Sequence, residues 1–184
     1  MPNIANTGSA RNPHSKGFTP HGWIMKNTKK IEGRRELRFS KLDDLLPELD
    51  AIAANPDAAT LGNWTAAQNL DHLARPLEWC MDGFPAEFKP PLMLKITGPI
   101  LRSGLLRKGI SAGIKPPPSM DALVTPSPDT PLDAALQRLR DALARFKDSP
   151  TIPKHPFLGP MDKATWETFH CRHAELHLSF IQAA

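Results

Sequence analysis

The chain has 184 residues, enough for one domain with a sizeable core, and is 40% apolar but only 7% aromatic. Residues 1–40 contain eight Lys/Arg and two Asp/Glu, a balance of +6, whereas the remaining 144 residues contain fifteen and seventeen, a balance of −2. A near-neutral body without a basic patch argues against nucleic-acid binding, and no apolar run is long enough to span a membrane.

The cysteines predict the compartment. Cys80 and Cys171 lie far apart and form no C-x-x-C motif, so we expect two buried, reduced thiols and a cytoplasmic protein.

The first 30 residues are rich in Asn, Gly, Ser, Pro and Lys and show no apolar period. This composition predicts a flexible leader over residues 1–32, followed by one domain over residues 33–184. His14 and His21 lie in the leader, where we expect them to be solvated.

Two helices are predicted next. The first runs from about Ser40 to Ala54, with Ser40 as its N-cap and leucines at helical spacing. In the second, Thr65 and Gln68 form a capping box, and Gly83 can end the helix.

Residues 84–129 are proline-rich and irregular, with one short helix predicted near residues 92–106. Six Lys/Arg and no acid lie between Glu87 and Asp121. These cations are either an ordinary solvated loop or candidates for recognising a substrate carboxylate. The substrate candidates are Arg102, Arg107, Lys108 and Lys115.

Two further helices complete the chain. Thr130 is the expected N-cap of the third, with Pro131 at its first position, and the fourth begins at about Asp162. Four amphipathic helices with connections of variable length predict an all-α helix bundle.

The last helix contains two histidines, His173 and His177, four residues apart. Residues at this spacing share one helix face, with Cβ atoms about 6 Å apart, so both imidazoles can aim at one metal ion. The alternative is a pair of hydrogen-bonded core histidines. Glu175 falls about 200° around the helix from His173, unlike the glutamate of an H-E-x-x-H protease, and is expected on the surface.

A third ligand should come from elsewhere in the chain. His72 ranks first because it is the only histidine in a different predicted bundle helix. His170, one turn before His173, ranks second, and His155, in a proline-bounded loop, ranks third.

Three segments resemble a known family: TLGNWTAAQNLDHLA (60–74), HPFLGPM (155–161) and the stretch from Trp166 to HAELHLSF. Over about residues 33–181 the chain resembles a bacterial domain-of-unknown-function family within the DinB/YfiT-like metalloenzyme superfamily.

The resemblance implies an up-down-up-down four-helix bundle with a long irregular insertion between helices 2 and 3. It also implies a metal site formed by His72, His173 and His177. Many members of the superfamily have a second histidine where Leu176 stands and a glutamine where Phe180 stands.

The expected function is therefore that of a metal-dependent enzyme acting on a small molecule. The resemblance implies a thiol-dependent transferase or isomerase, with a low-molecular-weight thiol as a second partner, and a hydrolase is also open. Zinc or nickel is the favoured metal, with iron and manganese as alternatives. The other reading is a non-catalytic bundle, with core histidines or a structural metal. A homodimer is also expected, whereas the DNA-stress role that the superfamily name suggests does not fit the near-neutral body.

Overall fold

A computed structural model describes residues 25–183, so most of the predicted leader, with His14 and His21, lies outside the described residues. The described chain is mostly helical, with one small two-stranded sheet. Its α-helices are α1 (Leu46–Ala54), α2 (Ala66–Asp82), α3 (Leu92–Lys108), α4 (Pro118–Val124), α5 (Leu132–Asp148) and α6 (Lys163–Leu178). Strands β1 (Lys154–His155) and β2 (Gly159–Pro160) pair antiparallel.

Helix α2 lies at the centre of the packing. It contacts α5 and α6, while α1 packs against α5. Leu70 and Leu77 of α2, Leu139 of α5 and Leu178 of α6 are almost fully buried in one core. Burying each such side chain stabilises the fold by about 1.5–3 kcal/mol. The contact between α2 and α6 brings His72 of α2 close to His173 and His177 of α6.

The predicted ends of α2 are confirmed. The Thr65 hydroxyl accepts a hydrogen bond from the Gln68 amide, and the Gln68 side chain accepts one from the Thr65 amide. Gly83 ends the helix with a φ of +97°, a conformation that L side chains rarely adopt. Helix α6 also begins as predicted, because the Asp162 carboxylate accepts from the Thr165 amide.

Two predicted N-caps are wrong. The amides of Ser40 and Lys41 both donate to the Asp44 carboxylate, so a 3-10 turn over Leu42–Leu45 precedes α1 and the Ser40 hydroxyl caps nothing. The Thr130 hydroxyl donates back to the Ser127 carbonyl instead of capping α5. Helix α5 therefore begins one residue later than predicted.

The insertion contains more helix than the sequence indicated. The helix predicted near residues 92–106 is α3, but α4 was not predicted, because seven residues after a run of prolines show no readable period. Part of α3 faces solvent, with Leu92, Met93, Ile96, Ile100 and Leu101 exposed. Among residues 25–183, no helix combines the length and apolar character needed to cross a bilayer.

Candidate metal centre

Three histidines from two helices meet in one cluster. The ring centre of His72, from α2, lies 4.9 Å from the ring centre of His173 and 4.5 Å from that of His177, both from α6. One ring nitrogen from each residue can be chosen so that all three lie within 4.8 Å of one another. The cluster therefore contains the predicted pair of α6, His173 and His177, and the first-ranked candidate for the third ligand, His72.

The protonation of His72 is fixed by a backbone carbonyl. Its Nδ1 lies 2.7 Å from the carbonyl oxygen of Val124, the last residue of α4. A carbonyl only accepts hydrogen bonds, so Nδ1 must carry the proton and Nε2 must carry a lone pair. A carbonyl or carboxylate behind a histidine ligand is the usual arrangement around protein-bound metals. This partner could not be predicted, because the seven residues of α4 show no readable period.

Asn69 fixes the protonation of His177 in the same way. The Asn69 amide nitrogen donates to the Thr65 carbonyl at 2.9 Å, so its Oδ1 is oriented towards His177. Oδ1 lies 3.1 Å from His177 Nδ1 and must accept a hydrogen bond from it, so Nδ1 carries the proton. His177, like His72, therefore carries its lone pair on Nε2.

The two nearest ring nitrogens have a separation suited to a metal ion. Nε2 of His72 lies 3.1 Å from Nε2 of His173, which is also a hydrogen-bonding distance. Two nitrogens at about 2.0–2.1 Å from a tetrahedral zinc ion are about 3.3 Å apart. Nδ1 of His173 is buried without a hydrogen-bond partner among the described residues. The three imidazoles fit a divalent ion that prefers nitrogen ligands.

The surroundings keep all three imidazoles neutral at pH 7. Burial lowers the pKa of His72 to about 4 and holds the pKa of His173 well below its ordinary value. Burial, together with the neighbouring His72 and Arg34, also lowers the pKa of His177. Neutral imidazole is the form that binds metals. Each of the three residues nevertheless keeps part of its surface exposed.

Trp64 forms one aromatic wall of the cluster. Its ring stacks on that of His177 at 5.6 Å with an interplanar angle of 13°, and lies 4.8 Å from that of His72. Trp64 directly precedes Thr65, the N-cap residue of α2.

The other two described histidines form a separate group. His170 and His155 are buried and packed among aromatic rings, including Trp166, which lies 5.7 Å from His170 and 5.3 Å from His155. Nδ1 of His155 accepts hydrogen bonds from the amides of Phe157 and Leu158. Neither residue is part of the cluster, so the second- and third-ranked candidate ligands are core residues.

The expectation that Glu175 lies on the surface is wrong. Glu175 is 9% exposed, and its carboxylate accepts hydrogen bonds from the Arg172 guanidinium at 2.5 Å and the Phe39 amide at 2.7 Å. The segment containing Phe39 covers this face of α6, which the helix pattern alone could not indicate. The carboxylate is engaged on the face away from the imidazoles.

The four predicted substrate cations lie in the insertion. Arg102 and Arg107 line an open surface cavity of about 710 Å³, together with Asp162, and Arg102 donates to the Pro160 carbonyl. None of the three clustered histidines lines this cavity. Lys108 and Lys115 are exposed.

Comparison with known proteins identifies the family of the chain. No curated protein and no solved structure matches the chain. One family model, described as "Protein of unknown function (DUF1569)", matches residues 31–184, which is most of the chain and includes all three clustered histidines. The chain therefore belongs to the DUF1569 family.

Proposed function

We propose that this chain is a metal-dependent enzyme in which His72, His173 and His177 bind one divalent metal ion. The observation that carries the proposal is the pair of fixed tautomers. The Val124 carbonyl and the Asn69 amide each hold a proton on the outer ring nitrogen, so the inner nitrogens of His72 and His177 present lone pairs.

We further propose that the fold is a DinB-like four-helix bundle composed of α1, α2, α5 and α6. The contacts of α2 with α5 and α6, and of α1 with α5, support this arrangement. The insertion between the second and third bundle helices contains α3 and α4. The position of the histidines, one on the second bundle helix and two on the last, also supports it.

The proposed reaction is group transfer, isomerisation or hydrolysis of a small molecule in the cytoplasm. For group transfer or isomerisation, the proposed co-substrate is a low-molecular-weight thiol. A bound zinc or nickel ion would lower the pKa of a bound water or thiol towards neutrality. The chain itself contributes the fixed imidazoles and the Trp64 ring, which shields one side from water. Asp71, the carboxylate nearest His72 in sequence, is paired with Arg75 and Arg138 and is not free to act as a base.

The alternative is a bundle with a structural metal or with core histidines alone. A structural zinc site usually has four protein ligands, whereas a catalytic site has three and an open position. Within residues 25–183, three residues form the cluster, and each is partly exposed. These features favour an open site over a structural one.

Metal content of the purified chain tests the proposal. We expect about one equivalent of zinc or nickel in the wild type and little in His72→Ala, because two imidazoles on one helix hold a metal weakly. The matched control is His170→Phe, which removes a histidine from α6 but keeps an aromatic ring among aromatic neighbours. This variant should keep its metal. Absence of metal from the wild type, even after incubation with zinc or nickel, would refute the proposal.

A further inference from the structure

Two adjacent arginines precede α1, and among the described residues only one of them has an acidic partner. Arg35 forms an ion pair with Glu48. Arg34 has no carboxylate within ion-pair distance among residues 25–183, although it is half-buried and burial lowers its pKa. A partly buried guanidinium without a counter-ion is costly to maintain. An anion bound beside it would compensate this charge.

The guanidinium of Arg34 is held at the end of α6. Its Nε and Nη2 donate to the Ser179 hydroxyl at 3.0 and 2.8 Å, and that hydroxyl donates to the Leu176 carbonyl at 2.6 Å. The guanidinium carbon lies 4.4 Å from the centre of the Phe180 ring. These contacts fix the plane of the guanidinium and leave the Nη1 side without a hydrogen-bond partner among the described residues.

This position adjoins the histidine cluster. Phe180 follows His177 by three residues, and its amide donates to the His177 carbonyl, so the chain still turns as a helix there. Gly62 packs against the Phe180 ring, and Trp64, two residues later, stacks on the ring of His177.

We propose that Arg34 binds a carboxylate group of the substrate through its Nη1–Nη2 edge, beside the imidazole of His177. A carboxylate matches the two parallel donors of a guanidinium edge, and a single guanidinium compensates a single negative charge. The substrate class is therefore a small carboxylate whose reacting group lies at the histidine cluster. Ser179 is a positioning residue that orients the guanidinium. The inference rests on the proposed function.

Binding of propionate to the zinc-loaded full-length chain tests the inference. Ligand-observed NMR titrations give the affinity, and propionamide is the uncharged control ligand. Replacing Arg34 with Gln should weaken propionate binding about tenfold or more, because a charge-assisted pair is lost. Arg34→Lys should lose part of the affinity, since the charge remains but the paired donors do not. Ser179→Ala should also lose part of it.

The matched control is Arg140→Gln, which removes a surface cation paired with Asp50 and changes the net charge equally. This variant should bind propionate like the wild type. Equal propionate affinity in Arg34→Gln and the wild type would overturn the inference. A loss of propionate affinity only in a variant lacking the four insertion cations, Arg102, Arg107, Lys108 and Lys115, would also overturn it. If Arg34 only compensates the dipole of α6, melting temperature would fall in Arg34→Gln while propionate affinity stayed unchanged.

Zinc content of the same samples separates the two claims. If the wild type binds zinc but its propionate affinity does not depend on Arg34, the carboxylate site is overturned and the proposed function stands. No zinc in the wild type refutes the proposed function, and the carboxylate site with it.

Discussion

The five described histidines fall into two groups that differ in their neighbours. Burial lowers the pKa of members of both groups, to about 4 for His72 and to about 3 for His155. The clustered rings of His72, His173 and His177 face one another, and two of them have oxygen acceptors behind them. His155 and His170 lie apart from this cluster, among aromatic side chains. Burial alone thus does not separate the two groups, whereas the mutual contacts of the three clustered rings do.

The largest expected difference between the groups is the effect of zinc on stability. A ligand that binds only the folded state at 1,000 times its dissociation constant raises the free energy of unfolding by about 4 kcal/mol. We expect this gain in the wild type and its loss in His173→Ala. Thermal unfolding with and without zinc measures it.

The control for that experiment is His170→Phe, from the second group, which should keep the full gain. An equal gain in His173→Ala would show that zinc binds elsewhere in the chain.

Acid should next reveal the contribution of a single histidine of the second group, His155. Burial lowers the pKa of His155 from 6.5 to about 3, so between these values the unfolded chain binds a proton that the folded chain does not. Its contribution to stability is present above about pH 6.5 and is lost as the pH falls towards 3. From pH 7 to pH 4 this loss is about 3 kcal/mol.

The test variant is His155→Asn, whose side-chain oxygen can still accept from the Phe157 and Leu158 amides. Urea unfolding at pH 7 and pH 4 should show that the wild type loses about 3 kcal/mol more than the variant on acidification. An equal loss of unfolding free energy in the wild type and the variant would mean that His155 binds its proton equally well in the folded and unfolded states.

A smaller effect is expected at the acceptor behind His177. Removing the Asn69 side-chain oxygen with Asn69→Ala should lower zinc affinity about 10- to 100-fold, because the imidazole loses the partner that fixes its tautomer. Competition with a chromophoric chelator measures the affinity. Asn69→Asp keeps an oxygen acceptor and should retain most of it. Equal losses in both variants would assign Asn69 a role in folding only.

The sequence predicted the features that depend on local pattern. The capping box of Thr65 and Gln68, the end of α2 at Gly83 and the start of α6 at Asp162 each follow from short-range chemistry. The histidine pair on α6 follows from helix geometry. The choice of His72 as the third ligand required only that a second bundle helix should pack against α6.

The features that depend on distant segments were not predicted. Val124 reaches His72 from a seven-residue helix without a readable period, and the segment around Phe39 covers Glu175 on the far face of α6. Arg34 lies in the basic N-terminal segment, where no pattern sets it apart from the other cations. Its place beside the cluster depends on Ser179, 145 residues away. Long-range hydrogen bonds of this kind have no periodic signature in the chain.

The central claim is that three specific imidazoles bind one metal ion through Nε2. Nitrogen-15 NMR of the histidine side chains, before and after addition of one equivalent of zinc, tests this claim most directly. Of the seven histidines, we expect three to change, with Nδ1 protonated in His72 and His177. No change in any ring, or a proton found on Nε2 of His72 in the zinc-treated protein, would contradict it.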